Sequence, residues 1–169
     1  MPPPSVRVLG PADADAFLAL RREALAREPL AFLADPADDV ALDPAFVRAR
    51  LAEPGENALL GAFGPSLAGA VGVYRDPKRK AAHKAHLWGL YVRPEQRGHG
   101  AGDALVRAAI DFARALPGVT HLHLGVSETA EAAHRLYRRH GFVAWGTEPA
   151  ALRVAGRSVA EHRLVLALA

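Results

Sequence analysis

The chain has 169 residues, of which 50% are hydrophobic and 23% charged, and its formal net charge is +3. This length and apolar content predict one folded domain over residues 1–169 and exclude a disordered chain, while so small a charge does not indicate nucleic-acid binding. The absence of cysteine excludes disulfides, a thiol nucleophile and cysteine-ligated metal.

The N-terminal sequence MPPPSVRVLG contains no hydrophobic stretch of signal-peptide length. Elsewhere, no run approaches the roughly 18 apolar residues that a membrane span requires. We therefore expect a cytoplasmic protein with no membrane partner.

The first predicted elements are a strand at Val6–Leu9 and an amphipathic helix at Ala14–Ala26, with Asp13 as its N-cap. A connector rich in proline and aspartate follows, from Arg27 to Pro44. A short helix is predicted around Phe46–Leu51.

Three strands come next, in the segments NALLGAFG, LAGAVGVY and AHLWGLYV. Their short connections predict an antiparallel meander. The last connection is basic, RDPKRKAAHKAH from Arg75 to His86, and is typical of a solvated hairpin loop, with contact to a ligand phosphate as the alternative.

Three glycines, Gly98, Gly100 and Gly102, lie between the strand Leu87–Val92 and a helix whose apolar face ends at Leu116. The first amides of a helix have no internal partners and carry the positive end of its dipole. This arrangement, with glycine allowing close approach, predicts an anion site.

The rest of the chain predicts a strand at Val119–Val126, a helix at Ala130–Arg139 and a final hairpin turning at Val154–Arg157. The predicted element order is β-α-α-β-β-β-α-β-α-β-β. Such an order indicates an α/β (α+β) fold with a mixed, mostly antiparallel central sheet flanked by helices.

The glycine spacing matches neither the dinucleotide fingerprint G-x-G-x-x-G nor the P-loop, which needs G-K-S/T. The segment RGHGAG, Arg97–Gly102, instead resembles the acetyl-CoA-binding motif of the GCN5-related N-acetyltransferase (GNAT) superfamily. The segment AAHRLYRRHGF, Ala132–Phe142, resembles the second signature of that family, and the similarity extends over nearly the whole chain.

The resemblance implies that acetyl-CoA is the cosubstrate, and no metal cofactor is expected. In the family, loop amides hold the pyrophosphate while a strand pairs with the pantetheine arm through its main chain. The residues implied in binding acetyl-CoA are Leu90, Tyr91, Val92, Arg97, Gly98, His99, Gly100, Ala101, Gly102 and Thr129. Many relatives have Asn where this chain has Ala130, so Thr129 is expected to cap the helix instead.

The resemblance also implies a role for Tyr137, which shares a helical face with Ala133 and Leu136. The corresponding tyrosine of the family protonates the departing thiolate, because a phenol can donate in an apolar crevice. The alternative is that Tyr137 is a core aromatic residue.

The general base is less well defined by the sequence. His86 lies six residues before Val92, where some relatives carry a catalytic Glu, and an imidazole exchanges protons near neutral pH. Glu128 and a water chain are the alternatives. His121 and His123 alternate on one strand face, but no third ligand is evident, so no metal site is predicted.

The predicted function is transfer of acetyl to a primary amine by direct attack on the thioester, with a small-molecule or protein amine as acceptor. Phe32, Trp88 and Trp145 are expected in the core or in an apolar acceptor pocket. The alternatives are a non-catalytic acyl-CoA-binding or sensing module on the same fold and, more distantly, a nucleotide-binding module. A homodimer is compatible with the sequence.

Overall fold

The computed structural model describes residues 4–168, which form a seven-stranded sheet with helices on its faces. The strands are β1 (Ser5–Val8), β2 (Asn57–Phe63), β3 (Leu67–Arg75), β4 (Lys84–Val92), β5 (His121–Ser127), β6 (Val143–Val154) and β7 (Arg157–Ala167). The helices are α1 (Ala14–Arg27), α2 (Pro44–Ala52), α3 (Ala101–Ala115) and α4 (Glu131–Arg139). The predicted α/β fold class and element order are confirmed.

The sheet has the strand order β1-β2-β3-β4-β5-β7-β6. Strands β1 to β4 form the predicted antiparallel meander, and β5, β7 and β6 are also antiparallel. Among the strands of residues 4–168, only β4 and β5 pair in parallel. A parallel pair requires a crossover connection, which α3 supplies.

Alternate residues of β2 enter two hydrophobic clusters, because successive side chains of a strand point to opposite faces. Leu60 packs with α3 residues such as Leu105 and Val106, which are fully buried. Leu59 packs with α1 residues such as Phe17 on the other face. The sheet therefore lies between α3 on one side and the α1–α2 segment on the other.

The predicted N-cap residue of α1 is confirmed by its position, but its side chain has other partners. Asp13 occupies the N-cap position but makes no capping hydrogen bond to α1. Its carboxylate instead accepts from the Gly10 amide at 2.8 Å and pairs with Arg7 at 2.7 Å. These contacts lower the pKa of Asp13 to about 2, with the Arg7 hydrogen bond as the largest cause.

Within residues 4–168, no helix is both long enough and apolar enough to cross a lipid bilayer.

The basic segment predicted as a hairpin loop connects β3 to β4, and its last residues, Lys84 to His86, already belong to β4.

Candidate active site

The two parallel strands at the centre of the sheet separate along their length. Their pairing extends only from Lys84 and His121 to His86 and His123. Beyond this point β4 continues to Val92 and β5 to Ser127 without mutual pairing among the described residues. The edge of β4 that faces β5 is consequently open to a ligand that can hydrogen-bond as a strand does.

A cavity of about 680 Å³ lies along this edge and reaches the N-terminus of α3 and the start of α4. Nearly all of the residues predicted to bind acetyl-CoA line it: Leu90, Tyr91, Val92, Arg97, Gly98, Gly100, Ala101, Gly102 and Thr129. His99 does not line the cavity, although it lies in the same loop. The fold thus collects into one site residues that are up to 39 positions apart in the sequence.

Two of the three loop glycines have backbone conformations that other residues rarely adopt. Gly98 and Gly100 have φ values of +81° and +84°, and nothing lies within 4 Å of where a Cβ would be. The space in front of them is open. Gly102 differs, because it belongs to α3 and a Cβ there would lie 3.2 Å from Leu136 Cδ2. Its small size serves the contact between α3 and α4.

The loop leaves several backbone amides free for an anion. The Arg97 amide is used in a turn, where it donates to the Pro94 carbonyl at 3.2 Å. Ala104 donates to Gly100 at 3.0 Å, the first hydrogen bond of the helical i to i−4 type. The amides from Ala101 to Asp103 precede that bond, so they and the helix dipole suit a phosphate group.

The arginines that line the cavity are each paired with a carboxylate that also lines it. The pairs are Arg97–Glu28, Arg135–Glu131 and Arg139–Asp103, with N···O distances of 2.9, 3.5 and 3.0 Å. Because these charges offset one another, the arginines present little net positive charge to an incoming anion. The anion would bind to the backbone amides, or it would replace a carboxylate as the partner of an arginine. Arg97 also donates from Nε to the Val92 carbonyl at 2.9 Å, which fixes the loop against β4.

Tyr137 lies in the last turn of α4, with only 4% of its surface exposed. Its ring packs edge-on against Phe142 with centroids 5.6 Å apart. Burial raises the pKa of the Tyr137 phenol, so the hydroxyl keeps its proton at neutral pH. The residue is therefore a hydrogen-bond donor within the hydrophobic core on the α3 side of the sheet, and it is not among the residues that line the cavity.

The expected cap of α4 by Thr129 is wrong. The helix begins at Glu131, and Ala130 in the N-cap position makes no side-chain hydrogen bond. The Thr129 hydroxyl instead lies 2.9 Å from the hydroxyl of Ser127, which is buried at the end of β5. This local pair holds the turn that leads from β5 into α4.

His86 lies at the closed end of the opening between β4 and β5. Its Nε2 is 3.0 Å from Asp76 Oδ2, and its ring stacks on Tyr74 with centroids 4.9 Å apart. In the tautomer in which Nε2 donates to Asp76, Nδ1 is free to accept a proton. Sequence reasoning missed Asp76, because only the β3–β4 register brings it to His86.

His123 faces His86 across the last parallel pair, with ring centroids 5.9 Å apart. Burial, followed by the neighbouring charges of His86 and Lys84, lowers the pKa of His123. Within residues 4–168, no group of three or more His, Asp or Glu side chains is placed to hold a metal ion. The alternative base Glu128 accepts a hydrogen bond from the Ala160 amide at 2.9 Å.

The three aromatic residues considered for the acceptor pocket have different surroundings. Phe32 lines the cavity. The Trp88 ring lies flat on Gly72, where a Cβ would be 2.1 Å from the ring. Trp145 is 62% exposed on β6, so its expected place in the core is wrong.

Comparison with known proteins agrees with this geometry. Residues 19–142 match the family described as Acetyltransferase (GNAT) family. A streptothricin acetyltransferase from Streptomyces lavendulae is 39% identical over 79 residues, which is 47% of this chain and 41% of that protein. This match spans less than half the length of the relative.

Solved structures share the fold over nearly the whole chain. The structure of yncA from Salmonella typhimurium with its cofactor acetyl-CoA has a TM-score of 0.85 at 21% identity, covering 98% of this chain and 94% of the other. A GCN5-related N-acetyltransferase from Kribbella flavida has a TM-score of 0.81 at 25% identity, covering 98% of both chains.

The family model matches most of this chain, from residue 19 to residue 142, which shows that the chain belongs to the GNAT acetyltransferase family. The resemblance inferred from the sequence is confirmed. Acetyl-CoA-dependent acetyl transfer is general for that family, and the findings together support N-acetyltransferase activity.

Proposed function

We propose that this protein transfers the acetyl group of acetyl-CoA to a primary amine by direct attack of the amine on the thioester. The observation that carries the proposal is the opening between β4 and β5, whose cavity extends from the unpaired edge of β4 to the amides at the start of α3. A cavity of this shape suits an extended ligand with a peptide-like arm and an anionic end.

In this proposal the main chain of Leu90 to Val92 pairs with the pantetheine arm, and the loop from Gly98 to Gly102 holds the pyrophosphate. Tyr137 donates a proton to the leaving sulfur, since its buried hydroxyl remains protonated at neutral pH. His86 accepts the proton of the attacking amine, with Asp76 stabilising the protonated ring.

The test is thiol release from acetyl-CoA across a panel of amines, including streptothricin-type antibiotics, amino acids, amino-acid amides and peptides. A thiol reagent reports only the CoA that is formed, because the chain itself contains no cysteine. We expect release that depends on at least one amine, with the acetylated amine as product. Tight CoA binding without any acceptor-dependent release would favour the non-catalytic acyl-CoA-binding module.

Replacing His86 by glutamine tests the base. We expect the acidic limb of the kcat/KM profile against pH to disappear or to move, because a base must be unprotonated to act. The profile is measured with one acceptor in both proteins, so that the titration of the acceptor amine is common to both. An identical rate and profile in His86→Gln would favour Glu128 or a water chain.

A further inference from the structure

Arg21 on α1 is a charged side chain buried within the protein. Only 6% of its surface is exposed, and its Nε donates to Asp39 Oδ2 at 2.7 Å. The Asp39 side chain is equally buried, at 7% exposure. The Nη1 atom of Arg21 is also buried and has no hydrogen-bond partner among residues 4–168. A buried donor without a partner is costly and calls for an explanation.

The free nitrogen lies beside Gly89 of β4. A Cβ on Gly89 would lie 3.3 Å from Arg21 Nη1. Gly89, with φ of +66°, lies where the pairing of β3 and β4 shifts register, immediately before Leu90 on the wall of the cavity. The donor thus lies against the stretch of β4 beyond His86 that is not paired with β5, next to a residue that lines the cavity.

Two aromatic rings cover the guanidinium. Its Cζ lies 5.3 Å from the Phe32 ring centroid and 5.4 Å from that of Trp88. Phe32 belongs to the connector between α1 and α2, is only partly buried and also lines the cavity. Phe32 is therefore a neighbour of both the buried guanidinium and the cavity.

The charge of the site selects the kind of group that Nη1 can bind. Asp39 already offsets the positive charge of Arg21, so a second carboxylate would leave the buried group with a net negative charge. A neutral oxygen can accept the free N–H without such a cost. The pairing with Asp39 therefore favours an amide or other carbonyl oxygen over a carboxylate.

We propose that Arg21 is a specificity-determining residue whose Nη1 binds a neutral carbonyl oxygen of the acceptor, close to its reacting amine. The acceptor class is accordingly an amino-acid amide or the amino terminus of a peptide, rather than a free amino acid. This inference rests on the acetyl transfer proposed above. Phe32 moves aside when such an acceptor binds, and the oxygen satisfies the buried donor.

The first test compares two acceptors, L-alaninamide and isopropylamine, which lacks the oxygen, in the wild type and in Arg21→Lys. Lysine keeps a cation beside Asp39 but lacks the second arm of the guanidinium. The ratio of kcat/KM for alaninamide to that for isopropylamine should fall by at least about tenfold, the lower end of the effect of a hydrogen bond from a charged donor. Arg22→Lys, an exposed neighbour, serves as the matched control and should leave the ratio unchanged.

The second test needs neither a variant nor turnover. Calorimetry on the wild type with saturating CoA compares N-acetyl-L-alaninamide with N-acetyl-L-alanine, and the amide should bind at least about threefold more tightly. Equal losses for both amines in Arg21→Lys, or tighter binding of the carboxylate, would overturn the inference. A wild type that acetylates no amine would contradict the proposed function alone, since this binding comparison would still decide the role of Arg21.

Discussion

Replacing Tyr137 by phenylalanine is expected to lower kcat by at least about tenfold. This value is a conservative floor, since general acid catalysis typically contributes about 10²- to 10⁴-fold. The sulfur leaves with growing negative charge, and the buried phenol, which remains protonated at neutral pH, can donate to it. Phenylalanine keeps the ring that packs against Phe142 and removes only the donor. Acetyl-CoA should bind nearly as well as before.

The measurement is steady-state turnover with the best amine of the panel, accompanied by calorimetry with CoA and by thermal unfolding. Unchanged binding and an unchanged midpoint of unfolding would confine the effect of Tyr137→Phe to the chemical step. Normal turnover in a folded variant would contradict the role as general acid and would leave Tyr137 as a core residue of α4.

Replacing Gly100 by glutamate is expected to weaken CoA binding by at least about tenfold, or about 1.4 kcal/mol. The side chain would project into the open space in front of the loop, where nothing lies within 4 Å of a Cβ. Its carboxylate would compete with phosphate for the amides at the start of α3 and would repel it. Part of the loss comes from the backbone, because φ of +84° is strained for any residue with a Cβ.

Gly100→Ala separates these two causes, because alanine adds the Cβ without the charge. We expect calorimetry with CoA to show an intermediate affinity for alanine and the lowest affinity for glutamate. Equal affinities in the two variants would assign the loss to backbone strain alone. Affinity equal to that of the wild type in a folded Gly100→Glu protein would remove the loop from the CoA site.

Much of the fold was predictable because its signals are local. The period of the apolar residues in α3 marks a helix whose face is buried, with Leu105 and Val106 fully buried as expected. The positive φ at Gly98 and Gly100 also depends on a local signal, since glycine is the residue that adopts this conformation freely. The family resemblance then collected the candidate CoA-binding residues, of which all but His99 line the cavity.

The errors and omissions concern partners rather than elements. Asp13 and Thr129 are reasonable caps by residue type, but Arg7 and Ser127 provide closer partners for them. Trp145 is apolar enough for a core, but β6 is the edge strand of the sheet and leaves it exposed. Residue type alone does not reveal which neighbours a side chain will have.

By itself, the sequence determined the order of helices and strands, the conformation of the glycine loop and the family to which the chain belongs. These depend on spacing within short segments, where the period of a helix or strand and the backbone freedom of glycine operate directly. Only the tertiary structure decided where β4 leaves β5, and which distant side chains meet. The pairing of Arg21 with Asp39, 18 residues apart, depends on how the connector folds back over α1. Such contacts result from the simultaneous packing of several elements, which no local pattern encodes.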